Sequence, residues 1–109
     1  MKSMLVEHCQ FKLSPNTQRE VFMASVAESN EYLESCEGFI HRSLCFDEAN
    51  NQWIDIVHWE NAESAHKAAE AFLAAPKAAN FLACIAEDSV TMQHFPVADE
   101  FAKGCEQAA

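Results

Sequence analysis

The run QWIDIVHW at residues 52–59 alternates like a strand and yet is apolar on both sides. Trp53, Val57 and Trp59 point one way and Ile54 and Ile56 the other, because side chains of an extended chain alternate with period two. Such a strand has to be covered twice. A chain of 109 residues builds one core and not two. Helices packed on one side of a single sheet leave its other side wet. At about 25 cal/mol per Å² of apolar surface, that exposure forfeits several kcal/mol and invites aggregation. The second face therefore calls for a partner, most simply a twofold copy of the chain, and a homodimer through the sheet face is expected.

The rest of the chain supplies the other elements. SMLVEHCQFKL (3–13) is rich in branched and aromatic residues and reads as a strand. Pro15 closes it, and Thr17 and Glu20 have the spacing of a capping box. A helix is predicted from there to about residue 35, with Phe22, Met23, Val26, Ala27 and Leu33 on one face. Gly38 suits the left-handed turn that ends it. GFIHRSLCF (38–46) is a second strand, with Phe39 and Cys45 expected opposite Ile40, Leu44 and Phe46. It should pair with 52–59 as a hairpin across DEANNQ. Asn61 is a plausible N-cap for an alanine-rich helix that stops at Pro76. KAANFLACIA (77–86) predicts a short extra helix, and SVTMQHFPV (89–97) a last strand.

The order β-α-β-β-α-(short α)-β is the split βαβ arrangement: an α+β, ferredoxin-like βαββαβ fold with a four-stranded antiparallel sheet. Residues 1–98 are expected to form one domain and 99–109 a C-terminal tail.

Charge and cysteines narrow the function. The net charge is −10, with seven basic residues scattered along the chain. A phosphate backbone or an anionic membrane surface is bound through clustered Lys and Arg, so neither partner is expected. No run of about 18 apolar residues is present to span a bilayer, and Glu7 and His8 interrupt the N-terminal apolar run too early for a signal peptide. Five cysteines are an odd number without CxxC spacing, which excludes a closed disulfide framework and matches no structural zinc pattern. Reduced thiols in a cytoplasmic protein are the expectation.

The stretch ESCEGFIHRSLCF followed by WIDIVHWENAESAHKAAEAF resembles the antibiotic biosynthesis monooxygenase family of dimeric α/β barrels. The likeness lies in Glu37-Gly38-Phe39 before the second strand, Trp59 closing the third, Asn61 and the alanine-rich helix, and it extends over about residues 3–97. It implies an active site between helices and sheet within each protomer. In the polyketide-quinone oxygenases of that family an Asn stands four residues before the strand-closing Trp; the position here is Asp55. Their Tyr six residues after the Trp is replaced by Ala65. The haem-degrading branch carries a ligating His where this chain has Asn80, an Asn where it has His8, and a Trp where it has Ala68. Haem breakdown is therefore the less favoured reading, and no cofactor is expected.

Oxygenation without flavin or metal imposes its own chemistry. Triplet dioxygen needs an electron-rich substrate, so a phenol or enol has to lose its proton in a dry pocket equipped with a base and a donor for the oxyanion. His8 and Asp55 have suitable groups if they share the helix-facing side, with Trp59 as aromatic wall or N–H donor. The other reading makes His8 a satisfied core or rim histidine and Asp55 a structural acid. Phe22, Val26, Phe72, Asn80 and Phe81 are the candidates to line the pocket, although the phenylalanines also fit a plain core. His41, His58 and His94 lie on strands, but no carboxylate spacing supports a metal site, and none is expected. The expected function is cofactor-independent monooxygenation of a small aromatic or quinol-like molecule. The alternative is a non-catalytic module binding a small apolar ligand on the same fold.

Overall fold

The computed structural model describes residues 4–103. Strand β1 (Leu5–Phe11) leads through a turn into helix α1 (Arg19–Glu34), and β2 (Phe39–Asp47) and β3 (Gln52–Trp59) form the hairpin. Helix α2 (Ala62–Phe72) follows. A single 3₁₀ turn at Pro76–Ala78 then introduces the short α3 (Ala79–Cys84), and β4 (Thr91–Pro96) ends the sheet. The strand order is β2-β3-β1-β4 with every pairing antiparallel. This is the ferredoxin-like α+β arrangement expected from the order of elements.

Local chemistry explains the junctions. The Asn61 side chain accepts from the Ser64 N–H at 2.8 Å and caps α2. The capping box expected at Thr17 and Glu20 does not form: the N-cap is Gln18, without a side-chain hydrogen bond. Gly38 has φ +86°, and a Cβ there would run into the side chain of Ser64. Glycine is thus required both by the left-handed backbone and by the close approach of α2.

Burial along β3 alternates strictly. Trp53, Asp55, Val57 and Trp59 are buried under the helices, while Ile54, Ile56 and His58 are half-buried on the outer face. In β2 the register shifts between Phe39 and His41. That bulge turns Phe39 inward against Trp59 and leaves Cys45 on the outer face, so the two do not share a face as simple alternation from Gly38 suggests. The core has two apolar clusters. One holds Leu5, Leu33, Val57, Trp59, Ala65 and Ala68. The other holds Phe11, Phe22, Val26, Trp53, Phe81 and Cys84.

Candidate active site

Rows of the sheet's inner face follow from the register. Arg42, Val57, Glu7 and His94 form one row across β2, β3, β1 and β4, and Leu44, Asp55, Cys9 and Met92 the next. Ionisable groups are thus carried into the space between sheet and helices from all four strands.

Asp55 and Arg42 make a buried ion pair. Arg42 Nε donates to Asp55 Oδ1 at 2.9 Å and Nη2 to Oδ2 at 2.7 Å, a two-pronged fit of guanidinium to carboxylate. Arg42 Nη1 donates to Ser29 Oγ at 2.7 Å and to Asn30 Oδ1 at 2.9 Å on α1. Its guanidinium lies 5.2 Å from the centroid of Phe81. With its partners inside the protein so well supplied, this pair is a strut between hairpin and helix. Asp55 has no unsatisfied need that a substrate would meet.

A second cluster sits beside it toward the β4 edge. Glu7 Oε1 and His94 Nε2 are 3.3 Å apart, and their side chains are 15% and 27% exposed. Burial pushes the Glu7 carboxyl above the usual carboxylate range, the nearby His94 imidazole offsets part of that, and the charge of Asp55 adds to it. The Trp59 indole lies near enough to favour the charged form of Glu7 slightly. Among the described residues no acceptor completes a hydrogen bond with Trp59 Nε1, although the atom is buried. A buried donor left unmatched costs about 1–3 kcal/mol, and native proteins rarely keep one without a reason. On α2, the exposed His66 ring stands 5.6 Å from the His94 ring at 88°. Cys9, in the next row, has its thiol pushed up to about 12, first by burial and then by Asp55 and Glu7. It remains a neutral thiol and no nucleophile.

The pairing expected between His8 and Asp55 is absent. His8 lies opposite Ile56, whereas Asp55 lies opposite Cys9, so the two residues point to opposite faces of the sheet. The register between β1 and β3 is what separates them: Glu7 and Cys9, not His8, accompany Asp55 and Trp59. Phe22, Val26 and Phe81 are not on a pocket surface either, being 0%, 6% and 5% exposed inside a core cluster. Phe72 is half-buried against Phe81 and Tyr32. Asn80 is exposed on α3, where Nδ2 donates to Glu28 Oε1 at 2.8 Å. It does border a groove, open to solvent and of about 670 Å³, lined by residues of α1 such as Val21 and Ser25 and by Ala83 and Cys84 of α3.

The strand histidines also divide. His41 and His58 adjoin on the outer face with ring centroids 5.7 Å apart, and His58 Nδ1 is 3.9 Å from Glu100 Oε2. His94 is on the inner face with Glu7. Among the described residues no group of three or more His, Cys, Asp or Glu is disposed to hold a metal ion. Nor is any helix among them long and apolar enough to cross a membrane.

No family model and no curated protein matches the sequence. Solved structures do. SnoaB, a cofactor-independent oxygenase from Streptomyces nogalater, has a TM-score of 0.70 at 15% identity, over 93% of this chain and 99% of its own. A candidate antibiotic biosynthesis monooxygenase from Bordetella bronchiseptica has a TM-score of 0.74 at 18% identity, over 89% and 99%. Another from Chloroflexus aurantiacus has 0.68 at 18%, over 94% and 100%. The chain has the fold of the antibiotic biosynthesis monooxygenases. At these identities the likeness concerns the fold, and the chemistry has to be argued from the side chains.

Sequence reasoning missed Arg42 and Glu7, and named His94 only among the strand histidines weighed for a metal. A signal existed for the first. The short hairpin turn puts Leu44 opposite Asp55, and Arg42, two residues away on the same face, is then a diagonal neighbour. Glu7 and His94 depend on pairings made across whole helices, for which the sequence carries no local marker.

Proposed function

We propose that the protein is a cofactor-independent monooxygenase acting on a small electron-rich aromatic, with Glu7 and His94 as the base and Trp59 as the oxyanion donor. The observation that carries this reading is the placement of a half-buried carboxylate–imidazole pair beside a buried indole N–H that lies near Glu7 without completing a hydrogen bond. A carboxylate whose pKa is raised by burial is a stronger base than one in water, which suits proton removal from a weakly acidic phenol. Glu7 takes the phenolic proton, His94 steadies it, and Trp59 Nε1–H hydrogen-bonds the oxygen that becomes negative.

The resulting phenolate passes one electron to dioxygen, the radical pair joins at the open para carbon as a peroxide anion, and the proton held on Glu7 returns to it to give the hydroperoxide. Loss of water gives the quinone. Two hydrogens, one from the phenol and one from that carbon, leave with one oxygen atom, and the other oxygen stays in the product. The substrate supplies all the electrons, so no external reductant enters. SnoaB, with the same fold, is a cofactor-independent oxygenase, which supports the reading without deciding it.

In this reading the working unit is a homodimer joined through the outer sheet face that carries Ile54 and Ile56. Asp55 is a positioning residue that holds the floor of the site through Arg42. The test is oxygen uptake with a panel of phenols, enols and quinols, including 1,5-dihydroxynaphthalene, whose quinone product is coloured. Glu7→Gln should lower turnover about 10²–10⁴-fold, the range for a positioned acid–base group. Trp59→Phe should lower it about 10²–10³-fold, as removal of an oxyanion donor does.

A second reading is favoured by the filled interior: the Arg42–Asp55–Ser29 strut and the aromatic cluster leave the space beneath α1 and α3 packed. A non-catalytic ligand-binding module would have that property. It is the conclusion to adopt if no member of the panel consumes oxygen above the buffer rate.

A further inference from the structure

We propose that residues 98–103 form an exchanged arm, through which Phe101 of each protomer anchors on the outer sheet face of a second copy. The inference rests on the homodimer of the reading above, but not on its chemistry. Phe101 is 93% exposed, the barest large apolar side chain among the described residues. An aromatic ring contributes to stability only when something covers it, and its own chain does not.

Where the arm lies decides what it meets. The Val97 N–H donates to the Met4 carbonyl at 2.9 Å, which keeps the chain beside the start of β1 just past the end of β4. Three residues later Glu100 Oε2 is 3.9 Å from His58 Nδ1 on β3. In the order β2-β3-β1-β4 the chain has to pass over β1 to reach it. Two strand spacings of about 4.8 Å each match three residues of extended chain. His58 belongs to the outer-face row that also holds His41, Val6 and Phe95. The arm therefore rests on one end of the outer face. Any body that covers that end also meets Phe101.

Charge favours a second copy as that body. The chain holds 17 Asp and Glu against 7 Lys and Arg, so two copies repel each other unless they meet where like charges are absent. Of the strand residues on the outer face, Asp47 at the hairpin end is the only carboxylate. His8, His41 and His58 bring imidazoles there and no negative charge. The arm carries the complement, Asp99 and Glu100 directly before Phe101. Imidazole N–H groups are donors for such carboxylates, as the position of Glu100 beside His58 illustrates. An apolar, nearly acid-free face and an acidic arm with an aromatic anchor make one self-complementary patch, which is what a twofold contact requires. Exchange about the twofold axis buries two Phe101 rings in one association.

Sedimentation equilibrium over a dilution series tests the arm, with wild type, Phe101→Ser and Phe101→Leu compared. The site is exposed, so both variants should fold, and far-ultraviolet circular dichroism checks that they do. Burial of one phenylalanine changes an association constant by roughly one to two decades, and the dimer holds two. Phe101→Ser should therefore raise the dissociation constant roughly 10²–10⁴-fold, and Phe101→Leu should recover most of the loss. Photoreactive benzoylphenylalanine in place of Phe101 then locates the ring. In a mixture of isotopically light and heavy protein, irradiation should join light chains to heavy ones through peptides of the sheet. Either an unchanged dissociation constant for Phe101→Ser or cross-links confined to single chains overturns the arm and leaves the homodimer standing. A wild type that is monomeric at every concentration overturns both.

Discussion

Glu7 carries a conflict between stability and chemistry. Its pKa is raised in the folded protein because burial disfavours the carboxylate. The native state therefore holds this proton more tightly than the unfolded chain. By linkage, Glu7 favours the native state at acid pH, and that contribution is lost as pH rises from the ordinary carboxylate pKa through the raised one. At neutral pH the charged side chain is a burden on the fold. Glu7→Gln keeps the shape and removes the charge, so the variant should melt at a higher temperature than the wild type at pH 7. The difference should shrink as the pH is lowered toward the ordinary carboxylate pKa. Thermal unfolding of both proteins across that range checks it. A destabilised Glu7→Gln at neutral pH would mean that the contact with His94 outweighs the cost of burial. Stability gained where activity is lost is the pattern expected of a residue kept for its chemistry.

At the scale of elements, the Arg42–Asp55 pair is what fastens the β2–β3 hairpin to α1. Both side chains are nearly inaccessible, 7% and 11% exposed. Removing one partner strands the other charge inside the protein, at a cost of about 3–5 kcal/mol. Arg42→Met should therefore lower stability by that amount in chemical denaturation. Adding Asp55→Leu should recover most of the loss, because a pair of apolar residues leaves no buried charge. If Arg42→Met costs no more than an exposed pair, the strut is an illusion of static geometry.

The same elements show what the sequence makes legible. Periodicity and end signals locate the strands and helices: Gly38 and Asn61 stand where a left-handed turn and a helix cap are needed. The hairpin register follows from its turn. Pairing between β1 and β3, or β1 and β4, is not encoded locally, because a strand that slips by one residue exchanges its faces. That is why His8, chemically attractive in sequence, lies on the outer face and Glu7 on the inner one. The bulge after Phe39 has the same character. Nothing in FIHRS announces it.

For the molecule as a whole, the outer sheet face is the open question of its surroundings. Val6, Ile54 and Ile56 are half-buried there, while Ile40 and Phe95 are 43% and 48% exposed. An apolar face of this breadth on a chain of 12.2 kDa argues for a partner, and a second copy is the simplest. Sedimentation equilibrium should give twice the chain mass at micromolar concentration. Ile56→Lys should yield monomers or aggregates, because it places an unpaired charge in the contact. A wild type that is monomeric and free of aggregation would remove the case for an interface on this face.

The central claim is that Glu7 is the base of an oxygenation requiring neither flavin nor metal. The pH dependence of oxygen uptake tests it most directly, measured in a chelator-treated protein with 1,5-dihydroxynaphthalene and with wild type and Glu7→Gln side by side. The wild-type kcat/KM should rise with pH through a midpoint above the ordinary carboxylate value, as the buried carboxyl loses its proton. Glu7→Gln should lose that inflection together with about 10²–10⁴ of the rate. A Glu7→Gln profile that overlays the wild type, in height and in midpoint, would contradict the assignment.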